Sequence, residues 1–352
     1  MGSTTAQVLS KITRLTTLLL ALGLAACSSP NQSEPAEPPF TMIVPQHLFT
    51  AAFPDVQHIW IAGFDSVIMH SSDGGETWGP QKSSVSGSLC DIDFTDELRG
   101  WAVGRGGVII HTVDGGATWQ EQHSGVDQQL FALDAVDESR AWIVGEFGTI
   151  LHTADGGATW QQQGSGEDKI YNDVFFIDAQ SGWVVGEYGV ILNTVDGGQT
   201  WAVQECEDIV PVISEDEWES FAPSLYGVYF HDEKRGLACG MDGTTIATDD
   251  GGVSWRKIDN PASEGKATLY SVSCSGDTCI VVGQKGVALA SEDGGTTWSM
   301  TDSVRTTRSW LRAVVMPDAL NGIVVGARGT VLQTTDGTNS WRLLSGIPVP
   351  QN

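Results

Sequence analysis

The chain has 352 residues, with 18 Lys and Arg against 44 Asp and Glu, a formal net charge of −26. A chain this acidic is not an ordinary nucleic-acid binder, because a polyanion is held mainly by Lys and Arg that displace its counterions. With 41% hydrophobic and 18% charged residues the composition is globular, while 42 Gly and 13 Trp imply many tight turns beside aromatic plugs, and so an internal repeat.

The first 26 residues carry Lys11 and Arg14, an apolar run from Leu18 to Leu24, and then Ala25-Ala26-Cys27. The run is too short for a mature membrane span and reads as a secretion signal. Its Leu-Ala-Ala-Cys ending resembles the bacterial lipoprotein box. The resemblance implies cleavage before Cys27 and lipidation of its thiol, and Ser28 fits sorting to the periplasmic face of the outer membrane. Residues 27–40 are rich in Pro, Ser and Glu with little to bury, a disordered tether. The expected organisation is therefore signal 1–26, lipidated Cys27 and tether 27–40, folded region 41–347 and tail 348–352.

From here one phrase recurs. DGGETW ends at Trp78 and returns, with variations, ending at Trp119, Trp160, Trp201, Trp255, Trp298 and Trp341; successive spacings are 41, 41, 41, 54, 43 and 43. Upstream lies a second phrase, such as GWAVGRGGVI at 100–109. A third begins at Leu48, Leu89, Leu130, Tyr171, Leu225, Leu269 and Leu311. With the run after each Trp, every unit holds four short strands punctuated by Gly turns. Four strands at a period of about 40 residues mark a propeller blade. The expected fold is all-β, a seven-bladed β-propeller of four-stranded blades.

In the Trp phrase the aspartates are Asp73, Asp114, Asp155, Asp196, Asp250, Asp293 and Asp336. A carboxylate here can accept backbone N–H groups inside the turn, a Gly supplies positive φ, and the Trp closes the blade edge. The phrase resembles the Asp box, or BNR repeat, a rim fastening that says little about chemistry. Blade seven has Thr338 in place of the second Gly, so its turn is expected to differ.

The full unit, G-W-x-V-G then G-x-I then T-x-D-G-G-x-T-W, resembles the photosystem II assembly and stability factors and their bacterial relatives over residues 48–344. That resemblance implies a non-enzymatic propeller that holds a membrane-protein precursor during photosynthetic complex assembly, with no cofactor. The alternative is a carbohydrate-binding or glycoside-hydrolase propeller, which would bring paired carboxylates to the mouth. A sialidase would carry an Arg-Ile-Pro phrase, and none occurs; the sole Ile-Pro is Ile347-Pro348.

The remaining chemistry is sparse. His70, His111 and His152 occupy one repeat slot and read as structural rather than as metal ligands. Cys274 and Cys279 flank a Ser-Gly-Asp-Thr turn that suits a hairpin disulfide. Cys90 and Cys239 lie in strand runs and should be buried, leaving Cys206, in a loop, as the expected free thiol.

Charge is uneven on the face formed by the turns after each second strand. The insertion at 205–224 carries Glu205, Glu207, Asp208, Glu215, Asp216, Glu217 and Glu219 without a Lys or Arg, and Glu146, Glu187 and Asp242 share its sign. Opposite, Arg305, Arg308 and Arg312 surround Trp310, and Lys285, Arg328 and Arg105 lie in equivalent turns. This Arg-Trp sector is the expected docking site for a protein partner, the chain acting as a monomer attached to the membrane through its lipid. Phe49, Cys90, Phe131, Asn172, Tyr226, Tyr270 and Arg312, each one place after a first-strand start, either ring the central opening or pack between blades. Packing is expected for most, which makes the opening the second-choice site.

Overall fold

The computed structural model describes residues 46–164, 166–210, 221–301 and 308–345. Cys27, the signal, the tether, Arg305, residues 211–220 and the 348–352 tail lie outside the described residues. Seven four-stranded antiparallel sheets follow one another at 48–81, 89–122, 130–162, 171–204, 225–257, 269–300 and 311–345. Each sheet uses four consecutive strands, and blade seven packs on blade one through Ile323, Val325 and Val331 against Leu48, Ile59 and Ile61. Among the described residues each blade keeps its own four strands, and the ring closes through side chains.

The core is seven seams rather than one centre. Second strands such as Gly100–Gly104 are buried along their whole length, because each blade presses on a neighbour at either face. First strands alternate, as in Leu89–Phe94, where Leu89, Ile92 and Phe94 enter a seam and Asp91 and Asp93 point the other way. Fourth strands are short and largely exposed.

The turns explain the glycines. At Gly104 a Cβ would lie 2.1 Å from the Ser88 carbonyl, which accepts the N–H of Arg105 at 3.1 Å. In the Asp box of blade two, Asp114 accepts the Thr118 N–H and hydroxyl at 2.8 and 2.7 Å and the Thr112 hydroxyl at 2.8 Å. The Thr112 oxygen accepts the Gly116 N–H at 2.8 Å. These bonds hold the Asp114 carboxyl below the usual carboxylate range. Blade seven departs as its sequence requires: Thr338 does not take the left-handed φ of 81–90° found at the six equivalent glycines. Asp336 nevertheless keeps its bonds to the Ser340 N–H and hydroxyl, at 2.9 and 2.7 Å, so the fastening survives the substitution.

A latch unread in the sequence ties blades together. Gln81, Gln122, Gln163 and Gln204, each three residues after an Asp-box Trp, donate from Nε2 to the carbonyls of Gly115, Gly156, Gly197 and Gly251 in the next blade, at 2.6–3.1 Å. Across the closing seam Gln333 donates to Gly74 at 2.5 Å, and Arg342 pairs with Glu76 at 3.1 Å.

Cys274 and Cys279 face each other across a hairpin and are joined as a disulfide. His231 lies within 4.8 Å of both sulfurs, which the disulfide withholds from metal binding. Cys206 is free as expected but buried, its thiol 3.5 Å from the Trp255 carbonyl; Cys239 is buried, and Cys90 is only half-buried. His70, His111 and His152 stack on Trp60, Trp101 and Trp142 at 4.2–4.7 Å, and burial holds all three below the usual imidazole pKa, His70 at about 4.

Candidate functional site: the axial mouth

Every first strand carries a β-bulge one residue after its start. Leu89 pairs with Gly104 and Asp91 with Val103, so Cys90 has no partner of its own. The same skip occurs in all seven blades, at 49, 90, 131, 172, 226, 270 and 312. A bulge bends the strand and re-aims the extra side chain. Here it turns Phe49, Cys90, Phe131, Asn172, Tyr226, Tyr270 and Arg312 onto one axial cavity of about 70 Å³. The expectation that most of these pack between blades is thereby corrected: all seven line the opening. Sequence periodicity placed them at one repeat position, but seven residues of unlike chemistry carried no signal for the bulge.

The turns around this cavity share one construction. In every blade the residue after the second-strand glycine donates its N–H to the carbonyl just before the first strand, as Phe64 to His47 at 2.8 Å and Ala327 to Trp310 at 3.0 Å. That bond sets all seven tips on the rim of the mouth, where Arg105, Lys285 and Arg328 are exposed. Arg308 is exposed as well. Blade one, between blades seven and two, puts Phe64 and Asp65 at its tip, so the cationic arc is interrupted there. Arg305 lies outside the described residues.

Trp310 and Arg312 connect rim to axis. The Trp310 ring stacks near Phe49, centroids 6.1 Å apart at 16°, and near His47 at 5.3 Å. The His47 Nδ1 accepts the Arg328 N–H at 3.1 Å, which fixes the blade-seven tip against this aromatic group. The Arg312 guanidinium lies 5.5 Å from the Tyr270 ring centroid and donates to the Tyr270 carbonyl at 3.4 Å. A cation over an aromatic face is worth about 0.5–2 kcal/mol and leaves other donors of the fork available to a ligand.

Beneath lies a belt of carboxylates. Asp91 accepts the Thr50 hydroxyl at 2.6 Å and the Leu133 N–H at 2.8 Å. Asp93 accepts Ala135 N–H at 2.9 Å, Asp134 accepts Phe176 N–H, and Asp173 accepts Val228 N–H at 2.9 Å. Each thus spans a seam between neighbouring blades. Burial pushes all four up, Asp91 to about 6 and Asp173 to about 7, with mutual repulsion adding to Asp134 and the nearby Arg312 charge opposing the rise at Asp173. These carboxylates are committed to backbone donors, and the cavity above them is far below the roughly 300–1,000 Å³ of small-molecule sites.

A family model described as photosynthesis system II assembly factor YCF48 matches residues 81–167, 159–221 and 210–307. The chain belongs to this family. Among solved structures, "YCF48 bound to D1 peptide" superposes with a TM-score of 0.68 at 19% identity, covering 84% of this chain and 95% of that one. YCF48 from Cyanidioschyzon merolae gives 0.65 at 19% identity, covering 82% and 95%. The GH74 xyloglucanase from Xanthomonas campestris gives 0.66 at 12% identity, and there the match spans 85% of this chain but 54% of the enzyme. No curated protein matches the chain. At these identities the structural likenesses establish the propeller fold alone; the family assignment rests on the sequence match.

Proposed function

We propose that this chain is a lipid-anchored, non-enzymatic scaffold of the cell envelope, a monomer held through Cys27 at the periplasmic face of the outer membrane. Its axial mouth holds an exported segment of a membrane protein during assembly. The observation that carries the reading is the convergence of Arg312, Trp310 and the bulge-aimed aromatics Phe49, Phe131, Tyr226 and Tyr270 on one opening. Arg and aromatic residues are the usual anchors of protein interfaces, and a rim carrying Arg105, Lys285, Arg308 and Arg328 favours a segment with carboxylates. The structure of YCF48 bound to D1 peptide supports a peptide ligand for this architecture. Anchoring on a tether raises the effective concentration at the membrane without any new contact.

The hydrolase alternative gains nothing from the mouth, since Asp91 and Asp173 are occupied by backbone N–H groups rather than set across a sugar-sized cleft. The test is detergent-solubilised affinity purification from the native host, comparing wild type with Arg308→Glu combined with Arg312→Gln. A co-purifying membrane protein lost in the variant, with an unchanged melting curve, supports the site; equal recovery removes it. Cys27→Ser should release the protein from membranes, and retention there would remove the anchor.

A further inference from the structure

The opposite flank of the mouth has its own chemistry. Blades three, four and five place Phe147, Tyr188 and Met241 on their tips at 53%, 51% and 39% exposure. Phe221, 60% exposed, lies against Tyr188 with ring centroids 4.8 Å apart. Folding does not explain them. None enters a seam cluster, and Phe147 and Tyr188 hold φ of 54° and 58° at the tip position that is left-handed in every blade and is filled elsewhere by Asp65, Gly106, Asp242, Lys285 and Arg328. A bulky residue in the left-handed region is strained, and the strain persists here without compensating burial.

Tyr188, Val210, Phe221 and Met241 wall a cleft of about 510 Å³, large enough for an apolar side chain, and Asp208 and Asp242 stand at its edge with Lys257. Glu146 and Glu187 sit on adjoining tips. Asp208 accepts the Lys257 backbone N–H at 3.0 Å, which fixes the cleft wall. The flank therefore combines an apolar slot with a predominantly negative rim, the reverse of the Arg-Trp flank.

We infer that this cleft docks an extended segment of a partner protein in which a large apolar residue is flanked by Lys or Arg. The apolar side chain fills the slot between Tyr188, Phe221 and Met241, and the flanking cations meet Asp208, Asp242 and Glu187. Charge complementarity selects this occupant: a neutral or acidic segment would face uncompensated carboxylates, and an anionic membrane surface would be repelled. Aromatic and Met side chains are the types enriched at such contacts. The inference does not depend on the Arg312 flank, whose ligand carries the opposite charge.

The test uses the folded chain and two fluorescent peptides of about a dozen residues, one with Phe and Leu flanked by Lys, the other with Glu replacing each Lys. Fluorescence anisotropy should show binding of the Lys peptide alone, weakened severalfold when salt rises from about 50 to about 300 mM. Tyr188→Ala with Met241→Ala should weaken it at least about tenfold with the melting curve unchanged, while Arg312→Gln leaves it unaltered. Equal binding of both peptides, or loss in Arg312→Gln alone, overturns the inference. So does Tyr188-dependent binding of phosphatidylcholine vesicles in place of the peptide. Replacing residues 211–220 by a Gly-Ser linker should leave affinity unchanged; a large gain would assign the cleft to the chain's own segment instead.

Discussion

Blades one to four and blades five to seven fill the same positions with different chemistry. The second strand carries Trp60, Trp101, Trp142 and Trp183 in the first group and Leu237, Ile280 and Ile323 in the second, all buried. Three of the four indoles stack on Phe94, Phe176 and Phe230 at 3.5–3.7 Å, and three are covered on the third strand by His70, His111 and His152. The latch follows the same division: Gln81, Gln122, Gln163 and Gln204 have Ile258 and Thr301 at the equivalent places in blades five and six. Downstream of those two, the indole N–H groups of Trp298 and Trp341 are buried without a partner, whereas Trp119, Trp160 and Trp255 donate to a latch Gln at 3.1–3.2 Å; Trp201 is the exception in the first group, its N–H and the Gln163 Oε1 both buried and unpaired. Both groups nonetheless keep the same first-strand bulges, tip bonds and Asp-box carboxylate bonds, blade seven differing in an irregular outer strand pair and in the Thr338 turn. Turn geometry, not the identity of the core residue, is what the seven units hold in common.

The largest expected effect is in the aromatic group. Trp142 is fully buried, stacks on Phe176 and His152, and donates to the Gly197 carbonyl at 3.2 Å. Trp142→Ala should cost about 3–5 kcal/mol, read as a fall in the urea midpoint, whereas Ile323→Val in the same slot of blade seven should cost about 1 kcal/mol. A loss at Trp142 no larger than that at Ile323 would mean that the aromatic stack contributes nothing to stability.

The latch comes next. Gln122 donates to Gly156 at 2.9 Å and accepts the indole N–H groups of Trp101 and Trp160 at 3.3 and 3.1 Å. Gln122→Ala strands groups on two blades, and leaving a buried polar group unpaired costs about 1–3 kcal/mol. A loss of about 2 kcal/mol in chemical denaturation is expected, with amide exchange accelerating at Gly156 and its neighbours; no change would reduce the latch to an accident of surface packing.

What the sequence made legible follows the same physics. Gly and Asp mark turns because few residues tolerate positive φ or cap a turn, so seven blades of four strands and the Cys274–Cys279 hairpin were readable from punctuation alone, while the way the ring closes was not. The bulges were not, because a bulge demands no residue type. Phe49, Cys90 and Arg312 share a backbone role and no chemistry. Aspartates alternating with Ile92 and Phe94 look like the wet side of a half-buried strand, and only the ring shows that this side faces a narrow axis. The latch was visible as a Gln three residues after four of the seven Trp, but an isolated Gln has no distinctive reading until its partner is in place.

The carboxylate belt gives the smallest effect and the one with a definite sign. Asp91, Asp93, Asp134 and Asp173 cross the seams that follow blades two to four, whereas the Ser271 and Ser273 hydroxyls accept Val314 and Met316 N–H at 3.2 and 3.0 Å across the seam after blade six. A hydroxyl does not titrate in this range; a buried carboxyl does. Asp173 stands at about 7 in the folded chain against an ordinary value of 3.8, so its contribution is fully present below about pH 4 and lost as pH rises through about 7. Asp173→Asn keeps an oxygen for the Val228 N–H and removes the titration. The stability of wild type relative to this variant should therefore fall by on the order of 1–2 kcal/mol between about pH 5 and pH 8. The stacked histidines pull the other way, His70 staying neutral down to about 4 and so favouring the fold at higher pH, but they are common to both proteins and cancel in the difference. Ser273→Ala should give no pH-dependent difference. If Asp173→Asn also gives none, Asp173 ionises in the folded chain at its ordinary value and the belt carries no titration; a difference that grows toward alkaline pH in favour of wild type would instead make the charged carboxylate the stabilising form.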